Sequence, residues 1–500
     1  KGKNKKRGKG GGGADSSSSS KEVGDDSAVW QLAKVAVQKL DEKAFQGRAP
    51  TFSLPPSSSA SSPFQEVYDP RQPLRLYLED LPPALSTELL ALNTGYCQSS
   101  AYSLETLLYE TLLRLYPDRS GGSDPSLSHL RHVVKVVRRR EEADAVFVPL
   151  PISCFLSTHF VSATAASTSP GDGGEGGEEG GEASQKERKA GNDVDYNAAV
   201  RLSERVILSL MQKKGGRWNE TAGRDHVFVV GSDFAGTLVP AHSLHNSIML
   251  VLSAEVTPTG GTAEAEQRRR RASTLAGAGP SFLASAALPL YQSYKDLTVP
   301  VVMRDPFLVE RRKALPPPGK QNRPIFAYFR GKASDEGNAD NYYSRGVRNE
   351  ILTHLRNEKD FLVSDQSVDR GAYVQELLQS TFCLSPPGWE LWAIRTFESV
   401  IGGCIPVLLA DHIELPFENI LDWTSFSVKV ASKDVPNLPR ILRAISKEDI
   451  AKKQKALDAV WRAFVFAPDQ QHDMMEAVMR SLRMRVFASS RRRGNRETWM

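Results

Sequence analysis

Residues 380–411 read STFCLSPPGWELWAIRTFESVIGGCIPVLLAD. An apolar run ends at Leu384 and gives way to the turn Ser385-Pro386-Pro387-Gly388. Apolar residues then recur at helical period as far as Ile401, and residues 404–409 form a second apolar run. Strand, turn, helix and strand in that order make a βαβ unit, whose right-handed crossover lays the two strands parallel in one sheet. The fold class this predicts is α/β. At about 100° per residue, Ala393, Ile394, Phe397, Val400 and Ile401 fall on an arc expected to pack on the sheet. Arg395, Glu398, Ser399 and Gly402 fall on the other arc.

The chemistry is read from that second arc. A helix that starts beyond the carboxyl end of a parallel strand offers free N–H groups to a phosphate, at the end of the sheet where ligands of such folds bind. Arg395 there suits a diphosphate, and Glu398 suits the hydroxyls of a ribose. The competing reading is an exposed i,i+3 ion pair worth a few tenths of a kcal/mol, which spacing alone slightly favours.

Residues 382–423, FCLSPPGWELWAIRTFESVIGGCIPVLLADHIELPFENILDW, carry CL-x-P-x-G, an Arg-x-x-Glu helix, GCIPV and a downstream LPF in that order. This block resembles the signature of the exostosin family of glycosyltransferases. LRLYLEDLPP from Leu74, ADAVFVP from Ala143, YKDLTVPVVMRDP from Tyr294 and FRG from Phe329, followed by an R-N-x-I helix, resemble other family segments. The resemblance implies a GT-B-like architecture, two doubly wound Rossmann-like domains facing a cleft. It also implies inverting, metal-independent transfer from a nucleoside-diphosphate sugar, UDP-sugar by preference, to a polysaccharide or glycan acceptor. A Golgi membrane location is expected, with the catalytic part lumenal as in type II proteins and an anchor upstream of Lys1. Homo- or hetero-oligomers with another glycosyltransferase are also compatible with the family. A catalytically silent subunit that stabilises a partner transferase is the main alternative, and a lectin-like module a weaker one.

Five hundred residues, 40% hydrophobic and 25% charged, suit two or three domains of about 150 residues with a sizeable core. A net charge of +5, much of it near the termini, does not point to nucleic acid. Residues 1–70 open with Lys/Gly and serine tracts and include one possible helix over 27–45. They are too poor in apolar surface to order themselves and read as a disordered stem. The acceptor-side domain is placed at 71–320, with low-complexity insertions at about 163–192 and 256–279. The run 315–319, LPPPG, is read as the hinge. The nucleotide-sugar domain follows at 321–487, and 488–500 is a polar tail.

Within the second domain, strand PIFAYFRGK ends at Arg330-Gly331-Lys332, and the next helix is expected to carry Arg345 and Arg348 in its first turn. Cations there oppose the helix dipole unless an anion is bound, and Arg binds phosphate bidentately. Arg330, Gly331, Arg348, Pro387, Gly388, Arg395 and Glu398 are therefore the candidate donor-binding residues.

In the first domain, Asp233 lies on the loop after the strand at 226–230 and is the candidate base for the acceptor hydroxyl. An Asx-turn cap is its other reading, and Asp225 and His226 are weaker candidates. Asp193-Val194-Asp195 follows low-complexity sequence without a preceding strand, so it reads as helix-capping acid rather than a metal site. Asn219-Glu220-Thr221 is a glycosylation sequon. Arg268 to Arg271 read as solvated. The four cysteines show no zinc spacing, and Cys383 and Cys404 read as buried thiols.

Overall fold

The computed structural model describes residues 72–81, 102–116, 124–152, 196–213, 216–231, 244–252, 254, 291–333, 343–468 and 470–497. The stem with its 27–45 helix, both insertions, Asp193, Asp195, Asp233 and Arg268 to Arg271 lie outside them.

Two parallel sheets organise the chain. The first takes β1 (Leu74–Leu78), β2 (Val134–Val137), β3 (Ala145–Val148), β4 (His226–Val230), β5 (Ile248–Val251) and β6 (Leu297–Thr298) in the order β2-β1-β3-β4-β5-β6. The second takes β7 (Ile325–Arg330), β8 (Phe361–Ser364), β9 (Ser380–Ser385), β10 (Ile405–Leu408) and β11 (Val428–Lys429) in the order β8-β7-β9-β10-β11. Every pairing is parallel. The central strands β3, β4, β5 and β10 are buried at every residue, as helices on both faces require, and so they read as unbroken apolar runs. In each sheet the second strand lies on one side of the first and the third on the other. The topological switch point therefore falls between β1 and β3 and between β7 and β9, and ligands of doubly wound sheets bind outside the carboxyl ends of such strands.

The helices are α1 (Leu104–Arg114), α2 (Tyr196–Gln212), α3 (Arg217–Thr221), α4 (Pro306–Lys313), α5 (Val347–Leu355), α6 (Arg370–Leu378), α7 (Ile394–Gly402), α8 (Leu438–Arg443), α9 (Lys447–Val460) and α10 (Met474–Glu497). The α/β class and the two doubly wound halves agree with the sequence reading, and β9, α7 and β10 form the expected βαβ unit. Strands β2, β5, β8 and β11, short and mostly at or near sheet edges, were not singled out. The last helix continues to Glu497, through residues read as a polar tail. It reaches back to the first half: Arg483 Nη1 donates to the carbonyls of His132 at 3.2 Å and Gln72 at 3.5 Å.

Three sequence expectations change. Cys383 and Cys404 are not thiols but a disulfide, with Cα atoms 5.8 Å apart. The register sets Phe382 beside Ile405 on neighbouring strands, which brings the two Cys positions within bonding range. Ile394 does not pack on the sheet. As the first residue of α7 it stands at the rim and is 43% exposed. Conversely, the arc that spacing alone slightly favoured as an exposed ion pair is buried throughout, because α6 covers it. A Cβ on Gly402 would stand 2.1 Å from Leu377 Cδ2.

Candidate active site at the β7/β9 switch point

Helices α5 and α7 follow the two strands that flank the second switch point, and each carries a buried arginine in its first turn. Arg348 is 5% exposed and Arg395 8%. Both reach Gly331, just past the end of β7. A Cβ there would stand 2.5 Å from Arg395 Nη2 and 3.8 Å from Arg348 Nη1. Only glycine leaves both guanidinium groups in place.

The arginines are held by neutral oxygens. Arg348 donates through Nε to Pro387 O at 3.0 Å and through Nη1 to Lys332 O at 3.1 Å and to the Tyr343 hydroxyl. Its guanidinium lies 4.6 Å from the Tyr343 ring centroid. Arg395 donates through Nη2 to Arg330 O at 2.5 Å and lies 4.8 Å over the Phe329 ring, while its buried Nε has no partner. Among the described residues neither arginine meets a carboxylate. Burial, and then the charge of Arg395, push the Arg348 guanidinium down to about 10. Two desolvated cations facing one point, each at a helix amino terminus that also favours negative charge, make a site for an anion of at least two charges.

The loop before α5 is built for this placement. Ser344, Arg345 and Gly346 all have positive φ, at 61°, 49° and 78°, so Arg345 precedes the helix rather than lying in its first turn. The Ser344 N–H donates to Gly388 O at 2.8 Å, and its hydroxyl accepts from the Arg348 N–H at 2.9 Å. Left-handed backbone at a non-glycine residue costs roughly 1–3 kcal/mol, and here it locks α5 to the Pro-Pro-Gly turn. Gly388 N in turn donates to the carbonyls of Glu390 at 2.9 Å and Trp392 at 3.1 Å.

Arg330 is placed differently from the other two arginines. Its guanidinium forms a two-pronged pair with Glu376 at 2.7 Å per bond and donates to Gln366 O at 2.9 Å. Only its carbonyl faces the site, as the anchor for Arg395. Glu398 is buried and is not paired with Arg395. Its Oε1 pairs with Arg370 Nη1 at 2.8 Å and its Oε2 accepts from the Tyr373 hydroxyl at 2.7 Å. Burial and the Glu398 charge push the Tyr373 hydroxyl well up, so it stays a donor. Tyr343, Ser344, Tyr373 and Arg370 were missed by sequence reasoning. Only Gly346, marking a turn before the helix, hinted at the locked loop.

In the first half, Asp225 and His226 lie at the amino end of β4, opposite the ligand end. The carboxylate Oδ1 sits 2.9 Å from His226 Nδ1 and accepts from Thr221 Oγ1 at 2.5 Å. Asn219 is exposed on α3 and donates to Met211 O at 2.9 Å.

The family model described as the exostosin GT47 domain matches residues 70–445. The chain belongs to the exostosin GT47 family. It is a glycosyltransferase. A probable glucuronosyltransferase of Oryza sativa subsp. japonica is 29% identical over 437 residues, which cover 86% of this chain and 83% of that protein. The probable beta-1,4-xylosyltransferase IRX10 of Arabidopsis thaliana is 31% identical over 286 residues, covering 56% of this chain and 62% of its own length. Among solved structures, Anabaena Alr3699/HepE in complex with UDP is 10% identical with a TM-score of 0.29, covering 84% of this chain and all of that one. So faint a likeness adds nothing to the fold described above.

Gly331→Ala should separate placement from folding. The new methyl clashes only with the end of the Arg395 side chain, Arg348 Nη1 at 3.8 Å being at ordinary contact distance, so the melting temperature is expected to hold. Arg395 must leave Arg330 O, and UDP affinity measured by calorimetry should fall about tenfold, the loss of one charge-assisted hydrogen bond of ~1.5 kcal/mol.

Proposed function

We propose that this chain moves a sugar from a UDP-sugar to a polysaccharide or glycan acceptor, with inversion at the anomeric carbon and without a metal ion. The observation that carries the reading is the convergence of Arg348 and Arg395 on Gly331, with no carboxylate partner among the described residues. The acceptor oxygen bonds to the anomeric carbon as the bond to the β-phosphate oxygen breaks. The electron pair leaves on the diphosphate. Arg348, Arg395 and the N–H groups at the starts of α5 and α7 take up that charge, the stabilisation that matters most when a leaving group is anionic.

Pro387 and Gly388 shape the floor, and Gly331 gives the phosphates access to the backbone. Arg330 acts through its carbonyl. Glu398 retains lone pairs on both oxygens and is assigned to the ribose hydroxyls. The proton of the acceptor hydroxyl is assigned to Asp233, which follows the carboxyl end of β4 in the sequence. The names of the relatives make UDP-glucuronate and UDP-xylose the first donors to try. A lumenal Golgi site is the compartment we assign. A disulfide and an exposed sequon on Asn219 both suit an oxidising lumen.

The test is UDP release by the purified chain from UDP-xylose, UDP-glucuronate, UDP-galactose and UDP-arabinose, with and without EDTA. One donor is expected to turn over equally in both conditions. Loss of turnover in EDTA would remove the metal-free mechanism. Failure of every donor and of UDP to raise the melting temperature would remove the transferase reading.

A further inference from the structure

Beyond the arginine pair, the site continues toward the start of α6. Glu398 lies one turn along α7 from Arg395 and is held by Tyr373 and Arg370. Arg370 also reaches the other way, its Nε donating to Asp305 Oδ2 at 2.9 Å. Asp305 caps α4 by accepting from the Leu308 N–H at 3.1 Å. This chain of charges sets the first turn of α4 against the first turn of α6, and Phe307 is the second residue of α4.

Four large apolar side chains are more than a third exposed among the described residues, and two of them belong to these two helix starts: Phe307 in α4 at 38% and Val368, two residues before α6, at 39%. The second residue of α6 is Gly371, where a Cβ would stand 3.9 Å from Phe307 Cζ. The guanidinium of Arg311 lies 5.1 Å from the Phe307 centroid. Phe307 and Gly371, with the exposed Val368 three residues before Gly371, thus offer a small apolar shelf linked through Arg370 to Glu398, the group assigned to the ribose. A nucleotide held by its diphosphate at Arg348 and Arg395 and by its ribose at Glu398 has one apolar part left to place, the flat face of its base. Base–aromatic stacking is tolerant of geometry and needs only such a face.

We propose that Phe307, beside Gly371 and the turn before α6, is the seat of the donor's nucleobase. The proposal rests on the donor-site reading above. It adds that the connection between the two sheets, through α4, contributes directly to nucleotide recognition.

The experiment is calorimetry with two probes, UDP and inorganic pyrophosphate, on wild-type chain and on the Phe307→Ala, Phe307→Trp and Arg348→Ala variants. Phe307→Ala is expected to weaken UDP about tenfold, from the usual strength of one stacked base, and to leave pyrophosphate unchanged. Phe307→Trp should restore UDP. Unchanged UDP affinity in Phe307→Ala overturns the base seat. An equal loss for both probes also overturns it, because the ring would then be holding the fold of the site. Arg348→Ala should weaken both probes. If it weakens neither, the donor-site reading itself fails and takes the seat with it, whereas a failure confined to Phe307→Ala leaves the donor site standing.

Discussion

Arg348→Ala is expected to lower kcat/KM at least about a hundredfold, while moving the melting temperature of the free chain by no more than ~3 °C. The first half of that result follows from where the charge develops. One donor removed from a preorganised anion hole costs about two to three powers of ten in rate, and Arg348 is buried and, in the proposed mechanism, faces the departing diphosphate. The second half follows from the state of Arg348 in the free chain. Its pKa is depressed to about 10 by burial and by Arg395. A cation whose folded pKa lies below its unfolded value binds its proton less tightly when folded, so at neutral pH the charge works against folding. The alanine variant loses hydrogen bonds to Pro387 O and Lys332 O and sheds that penalty, and the two effects oppose. A purely structural arginine behaves the other way, with a large drop in melting temperature and activity lost in proportion. Steady-state kinetics beside differential scanning calorimetry decide between them.

How far the site can be read from the sequence depends on whether its parts are local. Residues 380–411 contain a whole βαβ unit, so strand, turn, helix and partner strand are specified by periodicity within one window, and the helix carrying Arg395 follows. The convergence of Arg348 with Arg395 is not local. It depends on β7 and β9 being neighbours across a reversal of strand order, which no window reveals. Spacing alone likewise leaned toward an exposed Arg395–Glu398 pair, because it cannot see α6 lying over α7. The role of Arg330 was legible only as a charge. That Glu376 neutralises it depends on a residue 46 positions away. The Cys383–Cys404 bond was missed for the same reason, as it rests on the register of two strands rather than on spacing.

Stability is expected to fall as pH rises from 5 to 8, and Glu414→Gln should remove much of that fall. Glu414 follows β10 and closes the seam between the halves. Its N–H donates to Ala254 O at 3.1 Å, and its carboxyl accepts from the Tyr291 hydroxyl at 2.6 Å. Burial pushes its pKa up to about 7, against the opposing effects of Tyr291 and Arg485. A carboxyl whose folded pKa is raised holds a proton that the unfolded chain has released. Its contribution is therefore present below about 4.5 and is lost as pH climbs to about 7. At 1.36 kcal/mol per pKa unit the loss is on the order of 3 kcal/mol. Asp473, buried and likewise pushed up to about 7, adds a fall of the same sign. His132 opposes both, since burial and Arg480 lower its pKa and its cost fades as pH rises through 6.5. Glutamine matches protonated glutamate in shape and keeps an acceptor for Tyr291. The Glu414→Gln variant should thus equal wild type near pH 5 and exceed it at pH 8 by several degrees in calorimetric melting temperature. Parallel curves for the two proteins would mean that Glu414 does not titrate in this window and that the seam is indifferent to pH. Divergence only above pH 7 would place its ionisation higher than burial at this depth accounts for.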